Sequence, residues 1–414
     1  ELSNLNRFQP SDLVDFYTHY LLYRYVLMPL ELAPRASYVI VSCLSGVLFT
    51  AASLLLAQQT GRSLPERAFC FLLLATSGFT AVFYGYVESY AILYGVMLCY
   101  VVTALAALRG RLSVCVPLAA FSACFALHQT AVFLAPSALY LAWADLRRKD
   151  RRLVPLLQQA AALLLPVLLV AGALAAAGFD FGQYAGMLAK RSGERGGILL
   201  PLASGAYPVF SLRHVLDYLN VYLLASPVAW LALVPLLLLS WRKRDRAWTF
   251  LVLGFVPYLV FFFVMDPKIG MDRDWDLFAA PALLFTVLTA REFVALPAAP
   301  WRGAAWCMLL AASAVHTLSF VTVNHDTDAA ARRALALTER SRGVARAGLV
   351  GHNYFQLSNY YRRQGDADKA LEFLHEAARV SRSPHYYHRL GHFHYKRQEL
   401  GAAASYYDTA LQLD

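Results

Sequence analysis

Charge is scarce in this chain. Aspartate, glutamate, lysine and arginine make up 15% of its 414 residues, while 58% are hydrophobic. A soluble domain of this size carries more charge and fewer unbroken apolar runs. Cysteine chemistry is lacking too. The six cysteines, Cys43, Cys70, Cys99, Cys115, Cys124 and Cys307, all fall inside apolar runs, with no CxxC and no His/Cys ligand spacing. That excludes a disulfide framework or a cysteine metal site and leaves small core residues. No signal-peptide pattern is read at its start, which is Glu1 and not Met, so the true N-terminus is expected to lie ahead of this sequence.

What is present is a series of apolar runs near the roughly 20 residues that cross a bilayer as helix. Ten spans are expected, over about 36–58, 68–84, 89–108, 112–127, 129–145, 153–177, 218–240, 247–265, 277–296 and 303–323. The fold class expected is therefore all-α, a polytopic transmembrane bundle. The fourth and fifth runs are short and meet at "ALHQTA", the pattern of a tight hairpin within the membrane.

The formal charge of +10 is not that of a nucleic-acid binder, because its cations cluster in short loops between apolar runs. Arg62 and Arg67, Arg109 and Arg111, "RRKDRR", "WRKRDR", and Arg291 with Arg302 place fifteen Lys and Arg in one alternating set of loops. The other set holds "YGYVE" and "LHQT", which have none, and two outer loops of mixed sign. The first set is expected to be cytoplasmic. Residues 1–35, the long 178–217 loop and everything after about 324 then lie outside, in a bacterial-type inner membrane. An N-terminus on the inside would need an eleventh span ahead of Glu1.

Three domains follow. Residues 1–35 form an outer loop with an amphipathic helix, 36–323 the membrane domain, and 324–414 a soluble outer domain. In the first, Asp12, Asp15, His19 and Tyr23 share one helix face, with Leu13, Phe16, Tyr20 and Leu21 towards the other. Such a helix can lie in the interface plane with its polar side wet. In the second, "FSLRHVLDYLN" within 178–217 reads as another interfacial helix.

The densest charge is "GMDRDWDLFAAP" (270–281), with Asp272, Arg273, Asp274 and Asp276 between two apolar runs. One reading is a site that holds a divalent cation or grips a lipid-linked phosphate through Arg273; aspartates alone assign no metal. The other is a solvated loop of local Asp–Arg pairs that caps the next helix. Glu88, at the outer end of a span in "FYGYVESYAILYG", is a functional candidate by its depth or a helix-start carboxylate favoured by the dipole. His128 at the hairpin tip is a titrating group or a hydrogen-bonded structural histidine. Lys190 and Arg191 can bind a phosphate or lipid headgroups. A general base is sought among Asp12, Asp15, Glu88 and Asp274.

The stretch 353–384 resembles a tetratricopeptide repeat at Tyr354, Leu357, Ser358, Tyr361, Gly365, Ala370, Leu374, Ala377 and Pro384. A second copy follows at a 33-residue offset: Leu390, Gly391, Ala403 and Ala410 answer Leu357, Ser358, Ala370 and Ala377. Gln398 stands where the turn glycine is expected. Paired antiparallel helices with Tyr361 and Ala370 buried between them are expected, and repeats of this kind bind a protein or peptide.

The outer-loop helix early in the chain, the acidic outer loops with "YGYVESY" and "MDRDWDLFA", and the repeat tail resemble the polytopic GT-C superfamily of glycosyltransferases. That superfamily includes polyprenyl-phosphate-dependent mannosyl- and arabinosyltransferases and protein O-mannosyltransferases with such repeats. The resemblance implies a sugar carried on polyprenyl phosphate, an outer-loop carboxylate acting as base, and cations on the leaving phosphate. Asp12 and Asp15 match the base's position loosely; His19, His128, Lys190, Arg191, Asp272, Arg273 and Asp276 would contact substrate. Two other readings remain. In one the spans anchor a scaffold that recruits an envelope protein. A transporter is less favoured, because the spans are mostly apolar and charge gathers at the outer mouth.

Overall fold

The computed structural model describes residues 13–148, 153–176, 178–186, 199–202, 207–267, 270–342 and 347–413. Asp12, Lys190 and Arg191 lie outside them. The described chain is helical. Its one β feature is an isolated antiparallel bridge between Leu199 and Met265.

The elements run α1 (Leu13–Leu22), α2 (Arg35–Thr60), α3 (Leu64–Ala75), α4 (Ala91–Leu108), α5 (Cys115–Leu127), α6 (Ala135–Leu146) and α7 (Leu153–Ala176). They continue as α8 (Leu212–Ala225), α9 (Pro227–Ser240), α10 (Arg246–Val264), α11 (Trp275–Phe278), α12 (Ala280–Ala295) and α13 (Arg302–His325). After these come α14 (Thr327–Ser341), α15 (Ala347–Arg363), α16 (Ala367–Ser381), α17 (Pro384–Lys396) and α18 (Leu400–Leu413).

Among the described residues six helical segments are long and apolar enough to cross a membrane: α2, α4, α7, α10, the stretch Trp275–Ala295, and α13. The run expected over 218–240 is a pair, α8 and α9, bent by 108°. Ser226 leaves helical geometry at φ −160° and ψ 83°, and Pro227 opens the next helix. A residue before proline is pushed out of the α region, so an apolar run that reads as one span breaks there. The runs over 68–84, 112–127 and 129–145 are likewise shorter than single spans. Each is a helix of 12 or 13 residues next to a 3₁₀ turn. At 1.5 Å per residue such a helix is only about 20 Å long.

The chain divides into two compact units. One comprises 1–199, 218–265 and 275–317; the other comprises 200–217, 266–274 and 318–414. The unit with the C-terminal helices therefore takes in two segments that read in the sequence as outer loops. The "MDRDWD" stretch is itself divided between the units.

In the first unit α12 is the most enclosed helix, with Leu283, Leu284 and Phe285 fully buried. It packs against α3, α9 and α10, while α2 packs on α3 and α4, and α5 on α4 and α7. The end of α12 meets α3 and α13 in an apolar cluster where Phe69 stacks on Trp306 at 4.5 Å. By contrast α7 buries only Gln159 and Leu174 and leaves most of its other leucines outward, as a lipid-facing helix does. A capping box starts α3: Ser63 accepts from the Glu66 N–H, and the Glu66 carboxylate accepts from Ser63 and Arg62. Gly78 sits against the bend of α8 and α9, where a Cβ would lie 1.8 Å from the Leu224 carbonyl oxygen. At the same corner the buried hydroxyls of Ser77, Ser226 and Thr286 form a chain, 3.1 Å and 2.7 Å apart.

In the second unit α15 and α16 form one antiparallel hairpin and α17 and α18 another, with α14 against the first. Tyr354, Leu357, Leu374, Ala377, Tyr386 and Leu390 make their core. Ser358 donates to the Ala370 carbonyl at 2.6 Å. Ala370 is buried as expected, but Tyr361 is only half-buried, with its ring stacked on Phe373 and Lys369 over its face.

Candidate functional site

Helix α1 is inverted relative to an interfacial helix with a wet polar side. Asp15 and His19 are 3% and 4% exposed, whereas Leu21 is 46% exposed. The polar face points into the protein, because α1 packs on α2 and α5. The i, i+4 spacing brings His19 Nε2 to 3.1 Å from Asp15 Oδ2. The imidazole lies flat on Tyr38 of α2, ring centroids 3.8 Å apart. Beside the pair, Tyr17 meets Phe179 edge-on.

A second group forms where the 83–90 segment meets α11. Ser42 fixes this segment by accepting from the Gly85 N–H at 2.8 Å. The Tyr86 hydroxyl donates to Asp276 Oδ2 at 3.2 Å, and the Tyr94 hydroxyl to the Asp276 carbonyl at 2.5 Å. Asp276 is 3% exposed, and its Oδ1 accepts from the Leu277 N–H. Trp275 packs on Tyr86 at 5.8 Å. Burial pushes the Tyr86 phenol well above its usual range, and the charges of Asp276 and Glu88 push it further. Glu88 itself is exposed. His128 is buried, and its Nδ1 accepts from the Thr130 N–H at 3.2 Å, capping the 3₁₀ turn Gln129–Leu134. Its ring is 5.4 Å from Tyr90.

The other half of the aspartate stretch belongs to the second unit. Arg273 donates to Thr338 of α14 at 3.3 Å. Asp272 is half-buried, and its Oδ2 has no hydrogen-bond partner among the described residues. Burial raises its pKa against the opposing pull of Arg273, and burial also lowers that of Arg273. Around them stands a network invisible in the sequence: Asp217 accepts from Tyr207 at 3.0 Å and from Arg340 at 2.8 Å. Asp274 is half-buried, its N–H on the Gly270 carbonyl.

The structure thus brings together Asp15 with His19, and Tyr86 with Asp276, with the Glu88 charge acting on Tyr86. It gives Arg273 a different partner, Thr338, from the Tyr86 that meets Asp276 three residues on. Among the described residues no three His, Cys, Asp or Glu converge as a metal-ion ligand set. The residues that sequence reasoning missed are Tyr38, Tyr86, Tyr94, Tyr207 and Asp217. The tyrosine density of "FYGYVESYAILYG" was the one available signal for two of them.

No family model matches the chain, and no curated protein is similar to it in sequence. Among solved structures it is similar to the crystal structure of ArnT from Cupriavidus metallidurans bound to undecaprenyl phosphate, with a TM-score of 0.51 and 15% identity. The match covers 87% of this chain and 63% of that one, so this chain spans less than two thirds of that protein's length. At this identity the likeness is one of fold. The chain is a multi-pass helical membrane protein whose fold is similar to that of this structure.

Proposed function

We propose that the chain is a membrane glycosyltransferase that moves a sugar from a polyprenyl-phosphate donor to an acceptor on the extracytoplasmic face. The observation that carries this reading is the carboxylate of Asp15, turned inward on a helix just ahead of the first long described span. A buried carboxylate is costly where it has no role. The fold likeness to a protein crystallised with undecaprenyl phosphate bound supports the same reading.

In the reaction, Asp15 takes the proton of the acceptor hydroxyl as its oxygen bonds to the anomeric carbon. The bond from that carbon to the phosphate oxygen breaks, and the polyprenyl phosphate leaves with the bonding pair. Lys190 and Arg191 would meet that phosphate. Asp276 and Glu88, with Tyr86, would bind sugar hydroxyls. We assign Arg273 to holding α14 instead of the donor. Asp12, Asp274 and His128 remain secondary candidates, since His128 already serves as a cap.

The test uses the full chain in liposomes, with mannosyl and arabinosyl undecaprenyl phosphate as donors. Asp15→Asn should insert normally and lose about 10²-fold or more of turnover. A rate near wild type removes Asp15 from the chemistry.

The orientation rests on the fifteen Lys and Arg of the alternate loops. The hairpins α15–α18 then lie on the periplasmic side of a bacterial inner membrane, as tetratricopeptide repeats that receive a protein or peptide. A cysteine at Ser381 should react with an impermeant maleimide added to intact spheroplasts. Reaction only after lysis overturns that placement and the scaffold reading with it.

A further inference from the structure

His19 is the buried polar group that packing does not explain. Its side chain is 4% exposed, and neither ring nitrogen has a hydrogen-bond partner among the described residues. Nε2 comes within 3.1 Å of Asp15 Oδ2 without the alignment of a hydrogen bond. Tyr38 clamps the ring from one face. An imidazole enclosed in this way destabilises the fold, and phenylalanine would fill the same stacked position without that cost. Two uses of the ring are open in principle: as a filler against Tyr38, or as the partner of the carboxylate one helical turn away. A filler needs no nitrogen beside an oxygen.

We propose that His19 is a positioning residue for Asp15. Resting on the transferase reading, this assigns the dyad Asp15–His19 as the base, with Tyr38 as the wall that fixes the imidazole. A carboxylate with 3% exposure tends to take up a proton and cease to be a base unless a neighbour favours its charged form. The imidazole stands 3.1 Å away, placed to act as such a neighbour. A rotation about the side-chain torsions turns the close approach into a charge-assisted hydrogen bond. Such catalytic contacts are often long or poorly aligned in a free enzyme and tighten on substrate. The acceptor's proton ends on the pair and passes to water once the products leave. Tyr38 is stacked on the imidazole from α2, and Tyr17 and Tyr20 are the neighbouring phenols on α1 itself.

The experiment has one arm that needs no turnover. The full chain is labelled with ¹⁵N-histidine and placed in lipid nanodiscs, and the His19 ring signals are identified by their loss in His19→Phe. In Asp15→Asn the His19 ring ¹⁵N shifts should move towards those of an isolated imidazole. Unchanged shifts overturn the pairing whatever the activity. The second arm is transfer from mannosyl or arabinosyl undecaprenyl phosphate. His19→Phe, which keeps the stack on Tyr38, should lower kcat about tenfold or more with KM within about threefold, and His19→Gln should recover part of the loss. A His19→Phe variant with wild-type kcat overturns the positioning role, even if the ¹⁵N shifts respond to Asp15. A wild-type protein that transfers neither sugar, with responsive shifts, overturns the transferase reading and the dyad's catalytic role, and leaves only the pair.

Discussion

Exchanging Gln398 for glycine should make the C-terminal hairpin more stable, by an amount that an internal copy makes calculable. Gly365 turns α15 into α16, and Gln398, 33 residues later, turns α17 into α18. Both take left-handed backbone, φ 82° and 62°. The surrounding bonds repeat: Asp366 N–H meets the Tyr361 carbonyl at 3.0 Å, and Glu399 N–H meets the His394 carbonyl at 3.0 Å. A Cβ built on Gly365 meets nothing within 4 Å, so the turn restricts conformation and not volume. Left-handed backbone costs a residue with a Cβ about 1–2 kcal/mol. Glycine offsets about 0.5–1 kcal/mol of that through its freedom in the unfolded chain. The net gain for Gln398→Gly is about 0.5–1 kcal/mol, and Gly365→Ala should lose a similar amount. Hydrogen exchange in the full chain reads this as local opening, slowed roughly twofold to fivefold for α17 and α18 amides in Gln398→Gly and quickened by as much for α15 and α16 amides in Gly365→Ala. Faster exchange in Gln398→Gly, or no change in Gly365→Ala, would refute the reasoning.

A further prediction concerns Asp272, whose pKa burial raises above 3.8. A carboxylate raised in the fold keeps its proton where the unfolded chain has lost it, so its contribution to stability falls as pH rises from about 4 through the folded pKa. Asp272→Asn should therefore melt higher than the wild type at pH 7, by on the order of 1 kcal/mol. The gap should close as the pH falls towards about 4; a variant that melts lower at pH 7 would show that pairing with Arg273 outweighs burial.

Much of the membrane domain was legible because apolar length is a local property. Runs such as 36–58 and 247–265 became α2 and α10 with ends within a few residues. The C-terminal helices fall where the 33-residue recurrence of small and apolar residues places them. The break at Ser226 was also signalled, by Pro227, yet the apolar count on both sides hid it. For α1 the 3.6-residue period grouped Asp15 with His19 but carried no sign of which face is buried. That depends on α2 and α5, far away in sequence. The same holds for "MDRDWD": the residues were visible, but Tyr86 for Asp276 and Thr338 for Arg273 are 190 and 65 residues distant.

The corner between α8 and α9 bears on how the protein is made. Ser226 rests on a hydroxyl made 149 residues earlier, on Ser77, and on another made 60 residues later, on Thr286. While the chain is growing, the first partner is already in the membrane and the second has not been synthesised. The bend can be sketched when α9 leaves the ribosome, but its polar seam closes only after α12 arrives. Until then an unfinished turn has to be sheltered from lipid by the insertion machinery or by water. A chain truncated before residue 286 should accordingly be held as an unfinished client, and the arrival of α12 marks the moment at which the bundle can be released.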